Sequence, residues 1–478
     1  MNILTLLSLA LILLKSIQSF TPITKSKSVL PSLLQQRIKP YSTKKRYSFI
    51  VLSHQQLHSS PTITNDIHAS NNTLIFKGRR KWLGGVVNKD GSIYGIPSHT
   101  QSLLKISFTN QNPNIESITL PSTIHTKRRF KWLRGIIHND TLFCIPSWSQ
   151  DGVLKIHLKD DSMEVIPFPE NEKGNDRWLY HGGVLVETNH TGAIYCIPSN
   201  ANRILKITHE ENHTKSEYIG PFLKSNNMTK NKWYGGIKGF DNAIYGIPYS
   251  SPHVLRIDSN TDEVSLLGNL TSERYKWHGG VLSPINGCIY GIPSHTNTIL
   301  KINTTDSTIT LLPTPLNYYN QTTLEQKYKW GGTVIGQDDC IYGLPSNSNT
   351  ILKINPHNDE ITTFGNNILQ NLKHQNNNKK LINKWQGAVL ANGYIYAVPC
   401  NANSILRICT INNTHYNQVE LIDISYLFKD NNHRQLKDQY QGGFVSHGDI
   451  YCIPENAHGV LRIQPSLLLE DVKVDLLI

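Results

Sequence analysis

One pattern of residues returns eight times along this 478-residue chain, and it limits the possible folds more than any other feature. Its fullest copy, residues 276–302, reads KWHGGVLSPINGCIYGIPSHTNTILKI. Copies begin near residues 81, 131, 177, 232, 276, 329, 384 and 439, the last in weakened form. Repeats of about 20 to 50 residues are typical of solenoids, propellers and arrays of small units.

Each repeat contains four short segments rich in Ile, Val, Leu and Tyr, separated by Gly, Pro, Asn, Ser or Asp. In the fifth repeat we predict strands at 279–282, 288–292, 298–302 and 308–312, and in the last repeat a fourth strand at 471–477. The Pro of each Ile-Pro step closes the second strand, and the Gly pair suits a crowded inner strand. The sequence therefore predicts an all-β protein, a β-propeller of eight four-stranded blades over residues 66–478, with seven blades as the alternative.

The formal charge of +12 invites a nucleic-acid role, but its distribution argues against one. Residues 1–65 hold eight Lys and Arg and no Asp or Glu, which leaves only +4 for the repeats. A body with so small an excess is unremarkable as a polyanion binder, and we expect no nucleic-acid partner.

The first 65 residues read as a leader. The apolar run 3–14 is too short to span a membrane and is typical of a signal peptide, predicted as residues 1–19. Residues 20–65 lack acidic side chains and resemble either a disordered basic spacer or an organellar transit segment. We expect a secreted or lumenal protein without a stable membrane span, with a plastid protein carrying a bipartite presequence as the alternative.

Glycosylation and disulfide formation are weakly indicated. Nine Asn-x-Ser/Thr sequons are compatible with a glycoprotein, although an Asn-rich chain acquires many by chance. The seven cysteines show neither CxxC nor zinc-site spacing. We predict small buried thiols and keep open a bridge between Cys400 and Cys409.

Propeller geometry places the loop before the first strand and the loop after the Ile-Pro step on one face. We expect the repeated tryptophans to pack between blades, with the stem of the preceding Lys or Arg along its neighbour and its head in water. The members of that predicted ring are Trp82, Trp132, Trp178, Trp233, Trp277, Trp330 and Trp385. Residues shared by every blade serve assembly, so a ligand site is sought where single repeats depart from the pattern.

The departures predict a ligand-binding rim. Arg134 replaces the first Gly of its pair, and Trp148 stands in the loop after Ile-Pro. His181 reads as an insertion before Gly182-Gly183, and His278 lies between Trp277 and Gly279. The last repeat adds Glu455 and His458 in its own loop after Ile-Pro. Convergence of His181, His278 and Glu455 would create an acid/base or metal centre.

The segment NGCIYGIPSHTNTILKIN and its copies resemble the blades of the broad superfamily of streptogramin lyase, NHL-repeat, YVTN-repeat and SMP-30-like propellers. The resemblance covers about residues 81–478, is specific for the propeller and does not select an activity. It implies, as one possibility, a lyase or lactonase-like enzyme with a divalent metal at the channel mouth. We favour a non-catalytic, monomeric scaffold that presents a basic and aromatic rim to a protein or carbohydrate and needs no cofactor.

Overall fold

The computed structural model describes residues 76–124, 129–149, 151–169, 177–187, 191–210, 213–223, 230–315, 327–372, 380–412, 415–428 and 436–478. These residues form eight four-stranded antiparallel sheets, and each sheet contains four strands that are consecutive in the chain. The first strands of neighbouring sheets contact one another all the way round, including the last with the first. The fold is therefore a β-propeller of eight blades, as predicted, and the seven-blade alternative is wrong. The predicted signal peptide and basic leader lie outside the described residues.

The blades are numbered 1 to 8 in chain order, and their strands have the following bounds. The first strands are β1 Trp82–Val87, β5 Trp132–His138, β9 Tyr180–Glu187, β13 Trp233–Lys238, β17 Trp277–Leu282, β21 Trp330–Ile335, β25 Trp385–Ala391 and β29 Tyr440–Ser446. The second strands are β2 Ile93–Pro97, β6 Thr141–Pro146, β10 Gly192–Pro198, β14 Ile244–Pro248, β18 Cys288–Pro293, β22 Ile341–Pro345, β26 Tyr394–Pro399 and β30 Asp449–Pro454.

The outer half of each blade is made by its third and fourth strands. The third strands are β3 Ser102–Thr109, β7 Val153–His157, β11 Ile204–Glu210, β15 Val254–Ile257, β19 Thr298–Asn303, β23 Ile351–Asn355, β27 Ser404–Cys409 and β31 Val460–Gln464. The fourth strands are β4 Asn112–Thr119, β8 Met163–Ile166, β12 His213–Ile219, β16 Val264–Leu267, β20 Ile309–Pro313, β24 Glu360–Phe364, β28 Val419–Asp423 and β32 Lys473–Leu477. Short helical turns span Asn366–Leu369 and Ser425–Phe428.

The hydrophobic core lies between blades, and the repeated tryptophan is its centre. Trp277 is buried against Tyr245 and Ile247 of the preceding blade. Its indole Nε1 donates a hydrogen bond of 2.7 Å to the carbonyl of Thr298 in its own blade. The ring therefore joins two sheets and satisfies its polar edge internally. This arrangement confirms inter-blade packing as the role of the repeated tryptophan.

The lysine before the tryptophan differs from the prediction that its head lies in water. Lys276 is fully buried, and its Nζ donates hydrogen bonds to the carbonyls of Ser251 and Glu273 at 2.9 and 3.0 Å. The equivalent Lys81 donates to Glu455 and Ala457 across the junction between blades 8 and 1. Burial lowers the pKa of both amines to about 8. The lysine is an internal clamp that satisfies loop carbonyls at the blade junction.

Blade 3 shows why Trp178 is not a member of the tryptophan ring, contrary to the prediction. Tyr180, not Trp178, pairs with Pro198 at the start of the blade and lies in the inter-blade core. Leu179 consequently occupies the lysine position, and Trp178 moves out to the face. His181 is therefore not an insertion, because it holds the same place before the Gly pair as His278 does in blade 5.

The two glycines of the pair are required for different reasons. Gly279 has φ +79°, a conformation that favours glycine, and lies where the ladder between β17 and β18 shifts register. Gly280 has ordinary φ, but a Cβ there would lie 2.6 Å from the carbonyl oxygen of Tyr290. The first glycine makes the bulge, and the second lets the two strands approach closely.

All seven cysteines are buried and none is in a disulfide, as predicted for small apolar thiols. Cys400 and Cys409 form no disulfide, so the bridge that the sequence left open is not made. Burial raises the pKa of Cys400 well above its usual range. The thiol side chains therefore serve as packing groups.

The propeller closes without exchanging a strand, because blade 8 takes all four of its strands from the carboxyl-terminal part of the chain. Phe76 crosses the junction instead. Its ring packs edge-on against Trp82 with centroids 4.9 Å apart, and its backbone N–H donates to the carbonyl of His458 at 2.9 Å. Closure thus uses the same side-by-side contacts as the other junctions, with one extra aromatic residue.

Candidate functional site: the cup on one face of the propeller

The loops before the first strands and after the Ile-Pro steps meet on one face, as propeller geometry predicts. They enclose a cup of about 500 Å³ that opens into the central channel. The cup is lined by Arg80, Leu83, Phe130, Leu133, Trp178, His181, Ser199, Asn231, Tyr234, Tyr249, Tyr275, His278, Tyr328, Gln386, Asp438, Gln441 and Glu455. Its volume falls in the range of roughly 300 to 1,000 Å³ that is usual for ligand pockets.

Each blade places one residue in the left-handed backbone conformation just before its buried lysine position. The φ values of these eight residues lie between +50° and +62°. They are Arg80, Phe130, Trp178, Asn231, Tyr275, Tyr328, Asn383 and Asp438. This position tolerates many side chains, and all but Asn383 line the cup. It is therefore a variable position of the repeat that faces the cup.

Six aromatic side chains of the cup form a group called here the aromatic arc. Its members are Phe130, Trp178, Tyr234, Tyr249, Tyr275 and Tyr328, from blades 2 to 6. The rings make contact in two groups: Phe130 with Trp178, centroids 4.9 Å apart, and Tyr234, Tyr249, Tyr275 and Tyr328, with successive centroids 4.9 to 6.0 Å apart. The face therefore offers two stretches of ring surface along one half of the cup.

One residue in the loop after the Ile-Pro step contacts the residue that precedes the next buried lysine position. In blade 6 that loop carries Asn347, whose Oδ1 accepts the N–H of Asn383 at 2.9 Å and whose Nδ2 donates to the carbonyl of Lys327. Blades 3, 7 and 8 use an asparagine in the same way. In blade 1 the place is taken by His99, whose ring packs on Phe130 at 4.4 Å. The junction is held either by an amide clamp or by stacked rings.

Trp148 supports the arc from outside the cup. It takes the place of the clamp asparagine in blade 2, and its ring contacts Phe130 at 4.7 Å and Trp178 at 5.6 Å. The guanidinium of Arg177 lies 4.8 Å from the Trp148 ring centroid. The predicted binding residue Trp148 is thus placed beside the ligand cavity and orients residues that line it.

The opposite half of the cup is polar. It presents the amides of Gln386 and Gln441 and the carboxyls of Asp438 and Glu455. Burial, together with the nearby charge of Asp438, raises the pKa of the Glu455 carboxyl to about 8. At neutral pH this carboxyl is mainly protonated and can donate a hydrogen bond to a ligand.

Two histidines stand on either side of Tyr234 within the arc. The ring centroid of His181 lies 3.6 Å, and that of His278 3.9 Å, from the centroid of Tyr234. Burial, assisted by the positive charge of Arg134, lowers the pKa of His278 to about 4 and that of His181 well below its usual value. Both imidazoles are therefore neutral at physiological pH and act as hydrogen-bonding rings without charge.

Below the cup the channel narrows to a space of about 460 Å³ lined mostly by the glycine pairs. Among the described residues that line this space, Arg134 alone carries a formal charge. Leu133, Tyr234, His278, Gln386 and Gln441 line both the channel and the cup, so the two spaces are continuous.

A small side pocket of about 130 Å³ branches from the cup between blades 6 and 7. Gly331 lines it and holds the position, directly after the first aromatic of the strand, where the other blades carry Leu, His, Tyr or Gln. Cys400 and Asp438 line it, with the Cys400 Sγ 3.8 Å from an Asp438 carboxylate oxygen.

The structure brings four of the six predicted site residues to the cup and its channel: Arg134, His181, His278 and Glu455. His458 lies elsewhere, exposed beside the backbone of Phe76. Most of the aromatic arc and the residues Gln386, Gln441 and Asp438 were not predicted from the sequence. Most of these residues occupy the position before the Lys-Trp pair or the position after it. Both positions vary between repeats, so in any single repeat they look like ordinary loop residues.

The donor set of the cup does not suit a metal ion. In the portion of the chain that the structure describes, no three His, Cys, Asp or Glu side chains come together as metal ligands. His181, His278 and Glu455 share one cavity without forming such a group. The divalent metal that the family resemblance implied therefore finds no ligand set here. Among the described residues, no helix has the length and apolarity needed to cross a membrane.

The chain was compared with protein families, curated proteins and solved structures. No protein-family model matches it, and no curated protein matches it either. Among solved structures it is similar to a catalytically inactive virginiamycin B lyase from Staphylococcus aureus solved with quinupristin, at 14% identity and a TM-score of 0.47, covering 83% of this chain and 99% of that chain. It is also similar to a streptogramin B lyase, at 11% identity and a TM-score of 0.47, covering 84% and 97% of the two chains.

The sequence resemblance and these solved structures thus name the same group of propellers. No residue of the cup takes its role from those proteins.

Proposed function

We propose that this propeller is a non-catalytic carbohydrate-binding protein whose ligand occupies the cup. The observation that carries the proposal is the division of one cavity of about 500 Å³ into an aromatic arc and a half made of amides and carboxyls. Sugar rings combine an apolar C–H face with a rim of hydroxyls. A site with ring surfaces on one side and hydrogen-bonding groups on the other complements both parts of such a ligand.

The contacts of the arc support this assignment. The rings of Trp178, Tyr275 and Tyr328 are held by neighbouring rings and by the blade junctions, so little side-chain freedom is lost when a ligand stacks on them. Opposite them, Gln386 and Gln441 each offer a carbonyl and an amino group to hydroxyls of either orientation. A protein ligand is the other occupant that a basic and aromatic rim would accept.

A glycan array probed with the labelled full-length protein tests the proposal. We expect binding to at least one oligosaccharide class, weakened at least tenfold by Trp178→Ala and by Tyr328→Ala. The matched control is Tyr426→Ala, which removes an exposed tyrosine that does not line the cup. Absence of oligosaccharide binding, or equal binding by the cup variants, would reject the carbohydrate assignment; retention of a protein partner that depends on Trp178 would favour a protein ligand.

The enzyme alternative depended on a metal-assisted lyase or lactonase centre at the channel mouth. We do not propose it, because the described residues provide no metal-ligand group. Elemental analysis of the purified protein checks this choice. A stoichiometric divalent metal that only chelation removes would bring the enzyme alternative back.

We also propose that the chain enters the secretory pathway, with plastid import as the alternative route. The apolar run 3–14 and the basic segment after it support this assignment. Amino-terminal sequencing of the mature protein distinguishes the two. A start near Phe20 supports secretion, whereas a start near residue 50 or later supports a second import step.

A further inference from the structure

Arg134 holds a position that is glycine in the other seven blades. The seven glycines have φ between +77° and +158°, and Arg134 has φ +65° in the same place on β5. A long side chain rarely adopts this backbone conformation, which glycine adopts freely. Blade 2 therefore keeps an arginine where the backbone favours glycine, and strained positions of this kind concentrate at ligand sites.

The side chain of Arg134 enters the channel and leans toward blade 3. A Cβ added to Gly182 would lie 3.2 Å from the Arg134 Cδ, and one added to Gly84 would lie 3.5 Å from its Cγ. The residue is solvent-exposed, and its guanidinium has no ion pair or hydrogen bond with the described residues. Arg134 is not among the charged residues that shift the pKa of Glu455, whereas Asp438, Arg80 and Lys81 are.

The groups that face Arg134 are hydrogen-bonding groups without charge. His181, Tyr234 and His278 are close enough for the guanidinium to influence their ionisation. The Nδ1 of His181 is buried and has no hydrogen-bond partner among the described residues. A buried polar atom without a partner costs free energy, which a ligand atom can offset.

We propose that Arg134 and His181 form an oxyanion-binding site at the floor of the cup, which takes a carboxylate, sulfate or phosphate group of the ligand. The guanidinium supplies paired N–H donors and the charge, and the imidazole supplies one further N–H. Across the cup, Asp438 repels an anionic group, while the guanidinium of Arg80 lies 5.1 Å from the Phe130 ring centroid and is the other cation of the lining. This inference rests on the proposed function, and it narrows the ligand to an acidic carbohydrate.

The test titrates the full-length protein with acetate, sulfate and phosphate at constant ionic strength, with chloride as the reference. The readout is the NMR chemical shift of the His181 and His278 ring protons. We expect saturable shifts in the wild type, weakened at least tenfold in Arg134→Gly and Arg134→Gln and kept within a few fold in Arg134→Lys. The order among the three anions separates a carboxylate site from a sulfate or phosphate site.

Arg134→Gly also separates binding from folding, because glycine is the residue that the other blades use. We expect this variant to melt at a higher temperature than the wild type while losing the anion response. Arg129→Gln is the matched control, since it removes the same charge from an exposed residue of the neighbouring loop and should leave the titration unchanged. Equal anion affinity in wild type and Arg134→Gly, or a lower melting temperature for Arg134→Gly, would overturn the inference.

Oligosaccharide binding and anion binding, measured on the same protein, distinguish the two proposals. Neutral and acidic forms of one oligosaccharide that bind equally well would overturn the oxyanion site and leave the carbohydrate-binding function standing. Anion binding through Arg134 without binding of any oligosaccharide would reject the carbohydrate-binding function and leave the oxyanion site standing.

Discussion

At the residue scale, the buried lysine that six of the eight blades carry is the feature that departs most from ordinary expectation. Lys276 is fully buried, and its amine contacts carbonyls of Ser251 and Glu273 at the junction between blades 4 and 5. Blade 8 uses Gln439 instead, and its Nε2 lies 3.4 Å from the carbonyl of Ala402. A neutral amide can therefore fill the same place, and Leu179 fills it in blade 3, so the position does not require a charge.

Lys276→Met is expected to lower the free energy of unfolding by about 2 to 4 kcal/mol, because it leaves buried carbonyls without a donor. Lys276→Gln is the matched control and should cost less, because glutamine restores one donor at the place where Gln439 stands in blade 8. Urea denaturation at pH 7 measures both. A methionine variant as stable as the wild type would show that the amine contributes nothing to the junction.

Glu455 makes stability depend on pH. Its pKa is raised from 4.5 to about 8 in the folded chain, so folding favours the protonated carboxyl. The stabilisation is fully present below pH 4.5 and is lost as the pH rises toward 8. We expect Glu455→Gln to be more stable than the wild type at pH 8, on the order of 2 to 4 kcal/mol, and equal to it at pH 4.

Thermal denaturation between pH 4 and pH 9 checks this expectation. Glu263→Gln, which removes an exposed carboxylate, should follow the wild type throughout. A Glu455→Gln variant with the same pH profile as the wild type would mean that Glu455 is ionised at little cost in the folded chain.

At the element scale, the first strand of each blade combines a bulge with close contact to the second strand. Gly279→Ala meets only the unfavourable φ, whereas Gly280→Ala places a Cβ 2.6 Å from the carbonyl of Tyr290. We expect the first change to lower the free energy of unfolding by about 1 kcal/mol and the second to lower it by about 3 kcal/mol. Chemical denaturation of the two variants measures both free energies. Equal losses would contradict the distinction between backbone conformation and strand contact.

The strands were predictable because apolar runs alternate with Gly, Pro and Asn in the same order in all eight repeats. An error of alignment in one repeat therefore leaves the prediction for the other repeats unchanged. Trp178 shows where this reading failed. Arg177-Trp178 matches the Lys-Trp letters, but Leu179 and Tyr180 fill the buried places because two apolar side chains satisfy the junction as well as the usual pair. The buried lysines were missed since charged residues are usually exposed, and carbonyls that need donors leave no trace in a sequence.

The candidate site was partly predictable for a related reason. Arg134, His181, His278 and Glu455 were found because each breaks a pattern that the other repeats keep. Tyr275 and Tyr328 were missed because the position they share has no pattern to break; across the eight blades it holds six different residue types in the left-handed conformation. Only the closed ring shows that this variable position and the one before the Gly pair face the same cavity.

At the scale of the whole molecule, the ring is closed by Phe76 rather than by an exchanged strand. Phe76→Ala removes a buried ring from the junction of blades 8 and 1, and we expect a loss of about 3 to 5 kcal/mol. Phe222→Ala removes a ring that is 61% exposed and should change stability by less than about 0.5 kcal/mol. Calorimetry of both variants tests the role of this residue. Equal melting temperatures would mean that blade contacts alone close the ring.

Because every sheet is one uninterrupted length of chain, duplicating or deleting the gene segment for one blade leaves the strands of every other sheet unchanged. An inserted blade would bring its own junction residue, its own bulge and its own pair of variable positions. The number of blades sets the width of the central opening, and the variable positions set which ligand fits it. A propeller of this kind can therefore change its ligand by exchanging single blades while the contacts between blades stay the same.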